Sequence, residues 1–117
     1  MSHQRDYIAL EVEKLLKFNP RYQGAIILLG EEVIKIGEIK REIADILLNV
    51  INFIAMTFKQ LMAGSPRFFV AEGEGYGVAY GKFGFNNVLI LYYKDLPLGT
   101  VMYEIKALAN RLMTHTG

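Results

Sequence analysis

Apolar and polar positions follow two rhythms along this chain, and each change of rhythm marks the boundary of an element. Over residues 6–18, Ile8, Val12, Leu15 and Leu16 recur at helical spacing while Glu11, Glu13 and Lys14 take the other side. Asn19-Pro20 ends this helix, because proline disfavours a helical conformation in the residue before it. Two short strands follow at residues 24–29 and 33–37, joined by Gly30-Glu31-Glu32 as a tight turn. A long second helix covers residues 40–62 and stops at Ala63-Gly64-Ser65-Pro66, a glycine and then a proline. Strands are expected at residues 67–72, 76–83 and 87–93, with Gly73-Glu74-Gly75 and Gly84-Phe85-Asn86 as the turns between them. A last helix is expected after Asp95, read as its N-cap, with Pro97 in the first turn. Leu98, Val101, Met102, Ile105, Leu108, Ala109 and Leu112 then keep the helical period without a break. The order α-β-β-α-β-β-β-α, with short turns between strands, predicts an α+β fold: a five-stranded antiparallel sheet flanked by helices. No linker, repeat or low-complexity segment divides residues 1–117, so one domain is expected.

The second helix is the most informative element. Turned at about 100° per residue, Glu42, Asp45, Asn49, Asn52, Lys59 and Gln60 fall in one stripe about 100° wide. Nearly everything else on it is apolar. A helix covering one side of a small sheet needs an apolar stripe only somewhat wider than about 100°, and this one offers roughly twice that. The excess calls for burial against something further, and in a short chain a second copy is the economical candidate.

Composition narrows the class. Hydrophobic residues make up 52% and charged residues 21% of 117 positions, a globular mixture without the signature of disorder. A formal net charge of +1 argues against nucleic acid or an anionic membrane as partner. With no cysteine there is no disulfide, thiolate metal site or thiol nucleophile. The first residues lack the apolar core of a signal peptide, and Asp45, Asn49, Asn52 and Lys59 interrupt the longest apolar stretch. A cytoplasmic protein without membrane insertion is therefore expected.

Candidate chemistry is sparse. Gly73-Glu74-Gly75-Tyr76-Gly77 invites a phosphate-loop reading, but a dinucleotide fingerprint needs G-x-G-x-x-G between a strand and a helix. Here Tyr80 stands where the third glycine belongs, and a strand follows. A hairpin turn needing positive φ is the better reading. Gly77, Ala79 and Gly81 alternate along the next strand and leave one face nearly bare, which suits either a closely packed helix or, less well, a ligand cleft. His3 and His115 lie in the terminal segments, without metal-ligand spacing and without a serine to activate. Glu31 and Glu32 sit at a turn, while Glu42 and Asp45 sit on the polar helix stripe, none in an enclosure that would tune a general acid or base. The seven tyrosines are not interleaved with basic residues as in a single-strand platform. No catalytic residue, cofactor-binding residue or metal ligand is assigned.

Residues 87–112 carry a resemblance to a known family. An apolar strand is followed by the acidic turn at Asp95 and by Leu98-Gly99 opening a helix. Together with the element order and the hairpin of residues 30–37, this resembles the Roadblock (dynein light chain) superfamily, closest in type to its prokaryotic small-GTPase regulators. Gly30-Glu31-Glu32 stands where the family has Asp-Gly, and the longin and profilin-like folds are the neighbouring alternatives. The helix before the first strand favours Roadblock over longin. The resemblance implies a homodimer or paralogous heterodimer whose third strands meet edge to edge and whose second helices lie side by side. On that basis Ala44, Leu48, Ile51 and Ala55 are expected at the helix–helix contact, since the alanines allow close approach, with Arg67, Phe69 and Ala71 along the paired strand. The opposite edge of the apolar arc (Ile46, Val50, Phe53) is the alternative. The resemblance further implies a non-catalytic scaffold or regulator of a small Ras-like GTPase, activation of hydrolysis included, without a cofactor of its own. Glu42, Asp45, Asn49 and Asn52 are then the expected docking platform. The alternative function is a light-chain-type adaptor that dimerises a larger partner regardless of nucleotide, and a small-ligand sensor at Gly77–Gly81 is the least supported.

Overall fold

The computed structural model describes residues 2–116, with side chains described for residues 4–114. Eight elements follow in the order α1 (Ser2–Phe18), β1 (Tyr22–Leu29), β2 (Glu32–Gly37), α2 (Arg41–Gln60), β3 (Phe68–Glu72), β4 (Gly77–Lys82), β5 (Asn87–Tyr93) and α3 (Leu98–Thr116). The α+β class, the five strands and their order are as the patterning predicts. The strands form one sheet in the order β2-β1-β5-β4-β3, and every neighbouring pair is antiparallel. β5 pairs with β1 although more than fifty residues separate them, so the outer strands are β2 and β3.

The turns explain the register. β1 and β2 close with Leu29 opposite Glu32, so the turn is the two-residue pair Gly30-Glu31. Gly30 has φ +61 and Glu31 is not in the left-handed region, the type II′ pattern whose twist matches that of the flanking strands. Around Gly73 the hairpin closes by the Gly73 N–H donating to the Tyr76 carbonyl at 2.8 Å. The positive φ expected for its glycines is absent: Gly73, Gly75 and Gly77 all lie outside the left-handed region.

Two helix starts differ from expectation. α1 begins at Ser2, earlier than residue 6. Asp95 does not cap α3. It sits at φ 56, its carboxylate accepts from the Arg21 guanidinium at 3.3 Å, and the first helical hydrogen bond of α3 runs from the Val101 N–H to the Pro97 carbonyl. The left-handed turn thus ends before the helix begins, and Pro97 stands at the boundary rather than inside.

The sheet separates two cores. On one face α1 and α3 pack through Ile8, Val12, Val101, Ile105, Leu108 and Leu112 against Ala25, Ile27, Leu89 and Leu91. On the other face α2 lies alone, with Ala44, Leu47 and Ile51 against Ile26, Tyr80 and Ile90. Each fully buried valine, leucine or isoleucine among these is worth about 1.5–3 kcal/mol relative to exposure. Five strands at about 4.8 Å spacing span roughly 20 Å, about twice the width of a helix. Two helices cover one face and a single helix cannot cover the other. That mismatch places the candidate surfaces.

Candidate interaction surface

Helix α2 starts beside Gly37 at the end of β2 and finishes near Phe68 at the start of β3, so it crosses the sheet diagonally. Its circumference divides into three sectors. Ala44, Leu47 and Ile51 face the sheet and are buried. Glu42, Asp45, Asn49 and Asn52 form an exposed polar stripe, as their spacing predicts. Between them, Ile46 is 57% exposed, Val50 48% and Phe53 71%, at the i, i+4, i+7 spacing of a single stripe. Leu61, just past the helix, is also exposed, whereas the exposed Met56 falls by helical angle within the polar stripe. The apolar stripe adjoins Ile43, which lines a cleft with Ile39, Tyr76 and Tyr92, so it lies on the flank of α2 that looks toward the β3–β4 turn.

The four residues expected at a helix–helix contact differ in exposure. Ala44 and Ile51 are 3% and 6% exposed and belong to the protomer's own core, leaving little of either for a partner. Leu48 is half-buried against the same cluster, and Ala55 is exposed on the flank away from Phe53. The alternative edge, Ile46, Val50 and Phe53, is the one that remains uncovered. The close approach that the small Ala44 side chain allows is used here by the sheet.

β3 supplies a second unpaired surface. It lies at the sheet edge, bonded only to β4, and its sequence Phe68-Phe69-Val70-Ala71-Glu72 contains neither lysine nor proline to block pairing. Phe69 stacks on Tyr80 with ring centroids 4.6 Å apart and planes at 12°. Ala71 is exposed, and Arg67 sits just before the strand, its carbonyl accepting from the Lys82 N–H. The apolar flank of α2 and the open edge of β3 therefore border the same side of the molecule.

The tyrosines are structural in three ways. Tyr22 donates to Glu104 at 2.5 Å and Tyr93 donates to Glu72 at 2.9 Å. Burial, then the hydrogen bond to a carboxylate, pushes the Tyr22 phenol well above its ordinary value and raises Tyr93 to about 12. Tyr76 stacks on Tyr92 at 5.0 Å, with Lys94 Nζ 5.6 Å from the Tyr76 ring centre. These pairings were invisible in the sequence, because the partners stand up to 82 residues apart.

The bare face of β4 is filled. A Cβ on Gly77 would overlap the Tyr93 ring, and one on Gly81 would come within 3.0 Å of Ile105 Cγ1 on α3. That face of β4 is therefore taken up by Tyr93 and Ile105, as the closely packed helix reading expects for Gly81. Among the described residues, no group of three or more histidine, aspartate or glutamate side chains is placed to hold a metal ion. The side chains of His3 and His115 lie outside the described residues. Among the described residues, no helix is long and apolar enough to cross a membrane.

Neither the models of known protein families nor the curated proteins include a match to this sequence. Solved structures do match in three dimensions. Myxococcus xanthus MglB superposes with a TM-score of 0.75 at 16% identity, over 92% of this chain and 93% of that one. A Roadblock/LC7 domain from Streptomyces avermitilis superposes with a TM-score of 0.72 at 15% identity, over 92% and 96%. This is the Roadblock/LC7 fold. An MglB in a tetrameric arrangement has the same fold, with a TM-score of 0.76 at 17% identity over 96% and 89% of the two chains. The Roadblock fold accounts for the lone helix on one face of the sheet, which here is α2 with its uncovered apolar flank.

Proposed function

We propose that this protein is a non-catalytic homodimeric regulator of a small Ras-like GTPase. The observation that carries the reading is the exposed apolar stripe of α2, bordering the unpaired edge of β3 in a fold shared with MglB. In the proposed dimer the two β3 strands pair edge to edge through the stretch holding Arg67, Phe69 and Ala71, giving one continuous sheet. Ile46, Val50 and Phe53 of α2 then meet the same residues of the second copy. Pairing removes an apolar strand edge that would otherwise recruit other chains. A paralogous chain with the same flank would pair in the same way.

The polar stripe Glu42, Asp45, Asn49 and Asn52 stays exposed in such a dimer and is doubled by its two-fold axis. It is the proposed docking platform, presenting two carboxylates per protomer to a GTPase surface. Regulation then proceeds by repositioning the GTPase's own residues, since no phosphate-binding loop is built from this chain's glycines. The setting of the partner GTPase makes the cytoplasm the proposed location.

The test is nucleotide-dependent capture. Immobilised protein is exposed to lysate of its source organism loaded with a non-hydrolysable GTP analogue or with GDP. Retention of a small GTPase only with the analogue, followed by a change in its hydrolysis rate, is the expected result. Equal capture of a larger partner in both samples overturns the regulator reading and leaves the light-chain-type adaptor.

A further inference from the structure

Helix α2 leaves a second strip of sheet uncovered, on the flank opposite its apolar stripe. A cleft of about 330 Å³ opens there, between the C-terminal half of α2 and the corner where the β1–β2 and β4–β5 turns meet. Leu28, Ile51 and Val88 form its apolar part. That volume is at the small end of ligand sites, room for a side chain or two with their backbone.

The polar groups of the cleft are unusual for lacking partners. Tyr80 lines it, is only 4% exposed, and its hydroxyl has no hydrogen-bond partner among the described residues. Lys82, two residues along the same face of β4, lines the cleft too and forms no ion pair among the described residues. Asn52 and Asn86 stand at the same opening, their carboxamides likewise without a hydrogen bond to any other side chain among the described residues. Against these donors there is one carboxylate, Glu31. The set holds one lysine and one carboxylate, neither in an ion pair among the described residues, with neutral hydrogen-bonding groups over an apolar base.

The geometry points to this cleft as the docking site for a partner-protein segment in which a carboxylate side chain adjoins an aliphatic one. The aliphatic group packs on Leu28, Ile51 and Val88. The carboxylate takes the charge of Lys82, the Tyr80 hydroxyl donates to an oxygen of the segment, and the carboxamides hold its backbone. This rests on the reading above in that a second copy occupies the other flank of α2 and leaves this one open, and in that Asn52 is shared between this cleft and the polar stripe. The cleft belongs to one protomer, so each dimer carries two.

The test uses two soluble probes, acetyl-Leu-Asp-Leu-amide and its Asn counterpart, which differ only in the charge. Titration of the full chain into the millimolar range is followed by amide-proton NMR. The acidic probe is expected to shift the amides of Lys82, Asn86 and Asn52, and to bind about tenfold more tightly than the neutral one, the size of one charge-assisted hydrogen bond. Lys82→Met abolishes that difference, and Tyr80→Phe weakens both probes while the melting temperature confirms that each variant folds. No shifts at the cleft, equal binding of the two probes, or an unaltered response in Lys82→Met overturns the assignment. A Phe53→Glu variant separates the two readings. It is expected to lose the dimer and keep the peptide response, so failure of one is visible apart from failure of the other.

Discussion

Gly77 lies against the ring of Tyr93, its direct partner in the β4–β5 register, where any Cβ would overlap the phenol at Cζ and Oη. The ring cannot retreat easily, because its hydroxyl donates to Glu72 and its edge meets Tyr22 at a centroid distance of 6.3 Å. Gly77→Ala is therefore expected to destabilise by about 1–3 kcal/mol, the usual cost of overpacking a core. Urea unfolding of the variant checks this. An unchanged midpoint would show that Tyr93 has another rotamer available.

The sectors of α2 predict opposite outcomes for neighbouring substitutions. Phe53→Glu alters an exposed position and is expected to convert dimer to monomer by light scattering while the monomer's own fold persists. Ile51→Ala removes buried methylenes and is expected to cost about 2–5 kcal/mol in stability with no specific effect on association. A dimer that survives Phe53→Glu at ordinary concentrations would refute the assigned flank.

Alkaline pH provides a third test. Tyr93 has a folded-state value of about 12 against an ordinary value near 10, so the folded state holds its proton longer than the unfolded chain does. Stability from this group is complete below about pH 10 and is lost as pH rises through about 12. Tyr22, raised further by burial and by Glu104, acts with the same sign. Unfolding free energy measured against pH is expected to fall above pH 10 in the wild type, and Tyr93→Phe is expected to flatten that decline. The same variant loses the bond to Glu72, about 1 kcal/mol at neutral pH.

The polar stripe predicts a kinetic effect. Asp45→Lys reverses one exposed charge of the docking platform and is expected to slow association with the GTPase roughly tenfold at low salt, with the effect shrinking as salt is added. Surface plasmon resonance at two ionic strengths measures it, and dimer mass should be unaffected. A rate that does not depend on Asp45 moves docking away from this stripe.

What the residues reveal in order differs from what they reveal in space. The strands were legible because β1 and β5 are short apolar runs bounded by turns that carry glycine, and the apolar arc of α2 could be seen to be too wide for one surface. Asp95 was misread because an aspartate before a helix suits a cap and a left-handed turn equally well. Its ion pair with Arg21, 74 residues earlier, accompanies the second. Which α2 residues face the sheet was not legible for a related reason. A helical wheel orders Ala44, Ile46, Ile51 and Phe53 by angle, but holds no reference direction toward the sheet.

The sequence by itself determined the class, the element order and the surplus of apolar surface on α2, since these depend on local spacing and on totals. Only the tertiary structure decided which part of the surplus is buried. The pairing of β5 with β1 and β4 sets where the sheet face lies. The diagonal crossing of α2 then assigns Ala44, Leu47 and Ile51 to the core and leaves Ile46, Val50 and Phe53 outside. The same placement opens the cleft at Tyr80 and Lys82, because one helix is about half as wide as the sheet it must cover.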